Sequence, residues 1–422
     1  MQKPAFFDAV QNNAYQTWAK LEGDPELRGP WDLLFRQIQD PRHIVSELLQ
    51  NADDAGATQA DIIVDGNEFV FTHNGQDFTE ENFSSLCKFA CSNKRVLHTI
   101  GFRGIGFKSV FSIGDDVRLF SPTLSVMFQK SRFTVPLWID EHNCHPGKTE
   151  IRIAISDDAR KQAVQKNMQA WFKNPAALLF FRNIRGISID NCEIRWNSEG
   201  AGPVENSEWI SLSTAPDSKY LLVRSEPEPF PPDALREIKE ERGITDADLS
   251  SFPSCDVNIL LGHEGSLFVV LPTEVTTDLP FACNAPFILG PDRVRIKAPE
   301  LSPTNVWLLE RAGRLAGDTM LAWLENEELP IEQRAHAYAL YIHSFDRDNT
   351  LQGASSDIAC EAFHRRIRRL KFLLSETGDM HKFGECVAVP APLLDVWPAD
   401  NISSLFDDKN RAVLCSRISQ GV

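Results

Sequence analysis

The spacing of apolar residues alternates along the chain between a helical period and the two-residue period of strands. Residues 31–55 predict a helical stretch that is interrupted near Pro41. ADIIVD and EFVFTH, joined by the turn at Gly66, predict a β-hairpin. Residues 157–174 predict another helix, and LLFFRNIRGISID predicts a buried strand after it. Helices and a largely antiparallel sheet therefore segregate, which predicts a two-layer sandwich of the α/β (α+β) class.

The second half of the chain has a different pattern. Residues 203–233 are richer in Pro, Ser and Glu, which indicates a domain boundary or an exposed hairpin. DVNILLG, LFVVLPT and FACNAPFIL predict further strands, and the chain is predicted to be mainly helical from about Asn305, with a polar tail. We predict three domains, at 1–200, 201–304 and 305–422.

Composition narrows the classes of function. The 422 residues are 42% hydrophobic and 24% charged, which is typical of a globular chain. No apolar run approaches the ~18 residues of a membrane span, and the N-terminus lacks the features of a signal peptide. The nine cysteines form no CxxC pair, which favours reduced thiols in a cytoplasmic protein over a metal site.

The net charge of −16 disfavours a large nonspecific surface for nucleic acid, since phosphates would be repelled on average. The run from His364 to Lys371 is a local basic exception. Its simpler interpretation is a solvated helix face, and contact with nucleic acid is the alternative.

Two segments carry candidate chemistry. On a helix, Glu47, Asn51 and Asp54 fall within about 60° of one another, opposite the apolar side. A carboxylate one turn from an amide oxygen can hold a water beside a magnesium-bound phosphate. About fifty residues later, the G-x-x-G-x-G-F segment at 101–107 lets backbone amides approach an anion, in front of a predicted helix start.

Together these segments resemble a known family. ELLQNADDAGA, FTHNGQDFTEENF, SNK and IGFRGIGFKSVF, in this order, resemble the sacsin-type branch of the chaperone-like GHKL ATPases. The resemblance is strong across roughly 40–190, and LPTEVTTDLPFACNAPFILGPDRVRI resembles the segment that follows the ATPase in that branch. It implies a Bergerat sandwich, a smaller α/β transducer-like domain and a helical C-terminal segment.

The resemblance also implies roles for individual residues. Glu47 would be the general base, Asn51 would ligate Mg²⁺, and Asp54 would order the helix end and its waters. Gly75 would line the base pocket, and Thr149 would reach the base of ATP through water. A mobile lid would contain Ser92 and Lys94, and the loop would cradle the phosphates with Lys108 nearby. The predicted nucleotide contacts of the loop and its flanks are Lys94, Gly101, Phe102, Arg103, Gly104, Ile105, Gly106, Phe107 and Lys108.

One position departs from the superfamily. The Asp that reads the adenine amino group in most members falls at His73, followed by Asn74. A neutral His or Asn accepts a hydrogen bond from that amine in one orientation only. Both residues stay candidate nucleotide contacts; in the alternative interpretation His73 packs beside the pocket, and Asp54 or a water reads the base.

Two further segments suit a switch. Arg293 in the predicted second domain is the candidate cation for the γ-phosphate, with structural ion pairing as the alternative. Residues 5–35 carry Phe6, Phe7, Trp18, Trp31 and Phe35. Packing on the chain's own core is favoured slightly over a swapped contact, and the resemblance implies a nucleotide-dependent homodimer.

The leading function is Mg²⁺-dependent ATP binding and hydrolysis that closes the lid and switches conformation. Such modules head longer chaperone-like proteins or belong to bacterial antiphage defence systems, and this chain is expected to be a fragment of one. One alternative is a nucleotide-binding interaction module with little turnover, which intact Glu47 counts against. Another is a DNA-linked ATPase like MutL or the MORC proteins, which the acidic balance counts against.

Overall fold

The computed structural model describes residues 2–24, 26, 44–88, 106–141, 145–242, 252, 254–290, 294–343, 350–406, 411–416 and 418. The chain divides into two compact units. The first comprises Met1–Asn197 with Leu212–Pro216, and the second comprises Ser198–Ser211 with Asp217–Val422. A separate domain at 305–422 stays a prediction.

Four α-helices and eight strands make up the described part of the first unit. The helices are α1 (Phe7–Gly23), α2 (Ile44–Asp54), α3 (Glu80–Leu86) and α4 (Asp158–Lys173), with 3-10 helices at Gly106–Ser112, Lys130–Arg132 and Pro175–Phe180. The strands are β1 (Gln59–Asp65), β2 (Glu68–His73), β3 (Asp116–Phe120), β4 (Ser125–Gln129), β5 (Leu137–Trp138), β6 (Thr149–Ala154), β7 (Gly186–Ile189) and β8 (Cys192–Ala201), whose last residues belong to the second unit.

The sheet of this unit has the strand order β8-β7-β1-β2-β6-β3-β4-β5. β1 and β7 are parallel, and the other pairs are antiparallel. Alternate residues such as Ile62, Phe71 and Ile151 are buried on one face, while Ile63 and Arg152 lie on the other. The predicted α+β class, helices on a mixed and largely antiparallel sheet, is confirmed.

The prediction of one long strand over LLFFRNIRGISID is wrong. Residues Pro175–Phe180 form a 3-10 helix, and β7 begins only at Gly186. The backbone amides of Arg182, Asn183 and Ile184 donate to the carboxylate of Asp53, so they do not pair with a neighbouring strand. A side chain over a hundred residues away in sequence thus sets where the strand starts.

α1 packs on its own chain, as the sequence favours. Phe7 and Trp18 are buried, and the Phe7 ring centroid lies 5.8 Å from that of Phe83. The Trp18 indole donates to the Thr134 hydroxyl at 2.6 Å. Trp31 and Phe35 lie outside the described residues.

The second unit combines a sheet with a helical part. Its strands are β9 (Ser207–Leu212), β10 (Ala215–Arg224), β11 (Asn258–Leu261), β12 (Ser266–Val269), β13 (Leu271–Thr276), β14 (Phe281–Asn284) and the two-residue strands β15 (Leu373–Leu374), β16 (Met380–His381), β17 (Cys386–Val387) and β18 (Ala412–Val413). The helices are α5 (Pro232–Arg242), α6 (Pro303–Glu325), α7 (Ile331–Ala335), α8 (Leu351–Ile367), α9 (Ala391–Leu394) and α10 (Ala399–Ser403), with 3-10 helices at Pro299–Leu301, His336–Leu340 and Ser404–Phe406.

Strands form between 256 and 289 as predicted, in the sheet order β9-β10-β11-β14-β12-β13. The segment LFVVLPT, however, forms two antiparallel strands, because the chain turns at Val270, whose φ is 62°. α6 and α8 pack closely, since a Cβ on Gly313 would clash with the carbonyl of Ala359. The predicted polar tail is instead a small folded region, in which Val389, Ile402 and Val413 form a cluster. Strands of two residues are too short to produce a periodic pattern. Within the described part of the chain, no helix is both long and apolar enough to span a membrane.

Candidate functional site

Helix α2 presents a polar side and an apolar side. Val45, Leu48 and Leu49 are buried, whereas Glu47 and Asn51 are partly exposed. Asp54, at the last residue of the helix, is exposed. The structure therefore places the three predicted polar residues on one side of the helix, away from its core-facing stripe.

The neighbouring residue Asp53 has a role that the sequence did not indicate. It is buried, and its carboxylate accepts hydrogen bonds from the backbone amides of Asn183 (2.7 Å), Ile184 (3.0 Å) and Arg182 (3.1 Å). The Asn183 side chain donates to the Asp53 carbonyl at 2.9 Å. This fixes the end of α2 to the segment before β7. The only signal in the sequence was a second acid beside Asp54.

The ends of β2 and β6 bring His73 and Thr149 together. The two residues are direct partners in the antiparallel register, and both side chains are buried. Burial lowers the pKa of His73 from 6.5 to about 4, so the ring is neutral at physiological pH. Thr149 keeps a buried hydroxyl that has no hydrogen-bond partner among the described residues. A buried hydroxyl of this kind is accounted for by a ligand or an ordered water.

A hydrogen bond assigns the tautomer of His73. The Gly75 amide donates to His73 Nδ1 at 3.1 Å, so Nδ1 is the acceptor and Nε2 carries the proton of the neutral ring. The remaining nitrogen is then a donor. In this arrangement His73 does not accept a hydrogen bond from an adenine amine, which favours the alternative in which Asp54 or a water reads the base.

Asn74 is also engaged within the protein. Its carboxamide oxygen accepts from the amides of Thr58 (2.9 Å) and Gln59 (3.0 Å), and its amide nitrogen donates to the Thr58 hydroxyl at 2.8 Å. The side chain thus closes the turn between α2 and β1. This role is structural, and a contact of Asn74 with the nucleotide stays a prediction.

Gly75 joins the helix to the strand ends. A Cβ at this position would lie 2.9 Å from the Ala55 carbonyl and 3.0 Å from His73 Nδ1. The Gln76 amide donates to the same Ala55 carbonyl at 2.8 Å. Glycine is therefore required where the loop after β2 passes the end of α2, and Ala55, just after that end, lies near His73.

Further buried polar groups lie where α2 meets the 3-10 helix Gly106–Ser112, which packs against it. The Gln50 carboxamide and the hydroxyls of Ser109 and Ser112 are buried without hydrogen-bond partners among the described residues. Buried polar atoms are satisfied in most proteins, so this concentration indicates a place where ligand or water completes the structure.

Lys108 points away from the place the sequence predicted. Its ammonium donates to the carbonyls of Leu86 (2.6 Å) and Phe133 (3.2 Å) and is surrounded by aromatic rings, including that of Phe107. Burial lowers the pKa of Lys108 to about 8. Phe107 is likewise buried, with its ring 5.8 Å from that of Phe128. Both residues are part of the core, and their contact with phosphates stays a prediction.

Several residues that were predicted to contact the nucleotide lie outside the described part of the chain. The glycine-rich segment continues into the 3-10 helix that begins at Gly106, in place of the predicted α-helical start. Arg295 is exposed in the second unit. Outside the described residues lie Ser92, Lys94, Gly101, Phe102, Arg103, Gly104, Ile105, Asp292 and Arg293.

Comparison with known proteins supports the resemblance seen in the sequence. The family model described as Sacsin domain matches residues 33–175. Human sacsin is 29% identical over 106 residues, which is 21% of this chain and 2% of that protein. DNA mismatch repair protein MutL from Chlorobium chlorochromatii (strain CaD3) is 33% identical over 106 residues, 22% of this chain and 16% of that protein. The chain thus spans a small part of each relative, and the matched segment is similar to sacsin-type GHKL ATPase modules.

Proposed function

We propose that the first unit binds ATP with Mg²⁺ and hydrolyses it. The observation that carries the proposal is the buried hydroxyl of Thr149, which lies opposite His73 and has no hydrogen-bond partner among the described residues. Gly75 passes close to both His73 and Ala55, the residue after the end of α2, so the strand ends lie near the C-terminal end of that helix. These features fit a flat base at the strand ends and phosphates farther along α2.

The bound ion, Asn51 and Glu47 would each have a different role in ATP hydrolysis. Bound Mg²⁺ would neutralise phosphate charge and make the terminal phosphorus more electrophilic. The Asn51 carboxamide oxygen would hold the ion without adding negative charge beside the phosphates. The Glu47 carboxylate, one helical turn away, would orient a water and take its proton. The glycine-rich loop would hold the phosphates, and Arg293 stays the candidate cation for the γ-phosphate.

Base recognition in this proposal does not use His73 as an acceptor. Its Nε2–H is a donor, which suits a ring nitrogen of adenine or an ordered water. The exposed carboxylate of Asp54 and water held by Thr149 are the groups left to accept from the adenine amine. We propose a preference for ATP on this basis, tested by competition between ATP and GTP.

The Glu47→Ala variant tests turnover. It should bind Mg-ATP as the wild type does and lose hydrolysis by ~10²-fold or more, the scale expected for a general base. Glu80→Ala, which removes an exposed carboxylate at the start of α3, is the matched control and should keep full activity. Phosphate release is the measurement. Equal turnover in wild type and Glu47→Ala would instead favour a nucleotide-binding module that does not hydrolyse.

The switch and the wider role belong to the same proposal. Nucleotide would close the lid around Ser92 and Lys94 and favour a homodimer, in a chaperone-like or antiphage-defence system in the cytoplasm. The similarity to the DNA mismatch repair protein MutL makes a DNA-linked ATPase the second candidate.

A further inference from the structure

The second unit contains a cavity that has no part in the proposed ATP site. It encloses about 690 Å³ at the C-terminal end of α8. This volume is in the range of small-molecule sites, roughly 300–1,000 Å³. Its lining includes Tyr341, His364, Arg368, Arg369, Phe372 and Phe383. We call this cavity the α8 pocket.

The arginines of this region fall into two classes. Arg365 pairs with Glu310 at 3.6 Å, and Arg366 pairs with Asp318, so both have carboxylate partners. Arg368 and Arg369, just beyond the helix, have no carboxylate partner among the described residues. The basic run is therefore not uniform: its last two arginines line the pocket without an ion pair to any described carboxylate.

Arg369 also has an unusual backbone. Its φ is 71°, in the left-handed region that costs a non-glycine residue roughly 1–2 kcal/mol. A glycine would adopt this conformation freely. Strain at a residue that lines a cavity is a common property of ligand sites, because the conformation fixes the direction of the side chain.

The other side of the pocket is aromatic. The Phe383 ring is 86% exposed, and Tyr341 and Phe372 line the same space. His364 Nε2 is buried without a hydrogen-bond partner among the described residues. Burial lowers the pKa of His364. Exposed rings beside arginines are typical of surfaces on which nucleic-acid bases stack.

Two carboxylates, Asp357 and Glu361, line the pocket as well. Arg368 and Arg369 balance these two carboxylates in charge, and Arg365, which also lines the pocket, is paired with Glu310. Carboxylates accept hydrogen bonds from sugar hydroxyls and base amino groups. The lining therefore suits a ligand that has a phosphate at one end, hydroxyls in the middle and a flat ring at the other.

We propose that the α8 pocket binds a nucleotide, with its phosphate on Arg368 and Arg369 and its base on the exposed rings. A free mononucleotide and a residue of a single strand share this chemistry. The cavity size favours the free mononucleotide, and the net charge of the chain opposes a long strand. This site lies in the second unit and does not depend on ATP binding by the first.

The test compares two double variants of the full chain that change the charge equally. Arg368→Gln/Arg369→Gln removes the pocket arginines, whereas Arg314→Gln/Arg366→Gln removes two paired arginines that do not line it. The probes are UMP and GMP, by calorimetry, and a labelled eight-nucleotide oligouridylate, by fluorescence anisotropy. The pocket variant should bind at least ~10-fold more weakly, because two charge-assisted contacts are lost, and the control should change less than about twofold.

Two further variants separate binding from folding. Arg369→Gly should raise Tm by relieving the left-handed backbone and still weaken UMP binding. Phe383→Ala should weaken UMP binding while leaving the Tm unchanged, because the ring is exposed. With the oligonucleotide, the pocket variant should reduce the slope of log K against log salt by roughly 1.4.

The outcomes are distinct. Mononucleotide binding without strand binding identifies a free ligand, and the reverse identifies a single strand; both support nucleotide recognition. The Asn51→Ala variant should bind UMP normally, whatever becomes of the ATP site. The proposal is overturned if no probe binds at millimolar concentration, if both double variants lose binding equally, or if Asn51→Ala abolishes it.

Discussion

His73 shows how one hydrogen bond changes the chemistry of a site. The Gly75 amide donates to Nδ1, and burial keeps the ring neutral, so the free side of the ring offers a donor. The residue type alone could not decide this, because either ring nitrogen can carry the proton. The short loop between His73 and Gly75 decides it.

The pH dependence of stability tests the burial of His73. The unfolded chain binds this proton with a pKa near 6.5 and the folded chain with a pKa of about 4, so stability is complete above pH 6.5 and falls toward pH 4. Between pH 6.5 and 4.5 the His73 contribution should be a loss of about 2–3 kcal/mol. Urea unfolding of His73→Asn should lack this loss, while the exposed His336→Asn should keep it. Identical pH profiles for wild type and His73→Asn would contradict the assignment.

The residues of α2 were predictable and those around them were not. A helical period of 3.6 residues places Glu47 and Asn51 on one side whatever surrounds the helix. Lys108 and Asn74 depend on partners that are distant in sequence: the carbonyl of Phe133 for the first and the Thr58 turn for the second. No local pattern identifies such partners, which explains why both were predicted to contact nucleotide.

At the scale of elements, Asp53 connects three parts of the first unit. Its carboxylate accepts three backbone amides between the 3-10 helix at Pro175–Phe180 and β7. The end of α2 is thereby held next to the strand that pairs in parallel with β1. The position of the polar side of α2 relative to the sheet depends on this connection.

The Asp53→Asn variant tests this connection. An amide group presents one acceptor oxygen in place of two, so at least one buried N–H loses its partner, at a cost of about 1–3 kcal/mol. Asp54→Asn, one residue away and exposed, should change the free energy of unfolding by less than about 0.5 kcal/mol. Urea unfolding followed by tryptophan fluorescence measures both. Equal effects of the two substitutions would show that Asp53 does not hold the elements together.

Helices and strands were predicted correctly where the periodic pattern of apolar residues extends over enough residues. α4 appears as predicted, because its residues follow a clear helical pattern. The segment LFVVLPT is instead divided into two strands at Val270, whose positive φ no periodic pattern reveals. The segment LLFF was predicted to be a strand because short apolar runs do not distinguish strand from buried helix. Pro175, at the start of the 3-10 helix, and the Asp53 contacts that follow this helix favour it over a strand.

At the scale of the whole molecule, nucleotide is proposed to control the formation of a homodimer. The packing of Phe7 and Trp18 on their own chain gives α1 a defined place in the monomer, so a dimer would need contacts beyond this one. A nonhydrolysable ATP analogue with Mg²⁺ should double the mass measured by light scattering, and Asn51→Ala should prevent the change. A monomer under every condition would limit the switch to one chain.

The central claim is that the corner formed by α2, His73 and Thr149 binds Mg-ATP, and thermal unfolding with nucleotide tests it most directly. A ligand that binds only the folded state at a hundredfold excess over its Kd stabilises it by about 2.7 kcal/mol, which raises Tm. Saturating Mg-ATP should shift the wild type and the surface control Asn82→Ala equally, while Asn51→Ala should lose most of the shift and Thr149→Val part of it. Absence of any shift in the wild type with millimolar ATP or ADP would contradict the account.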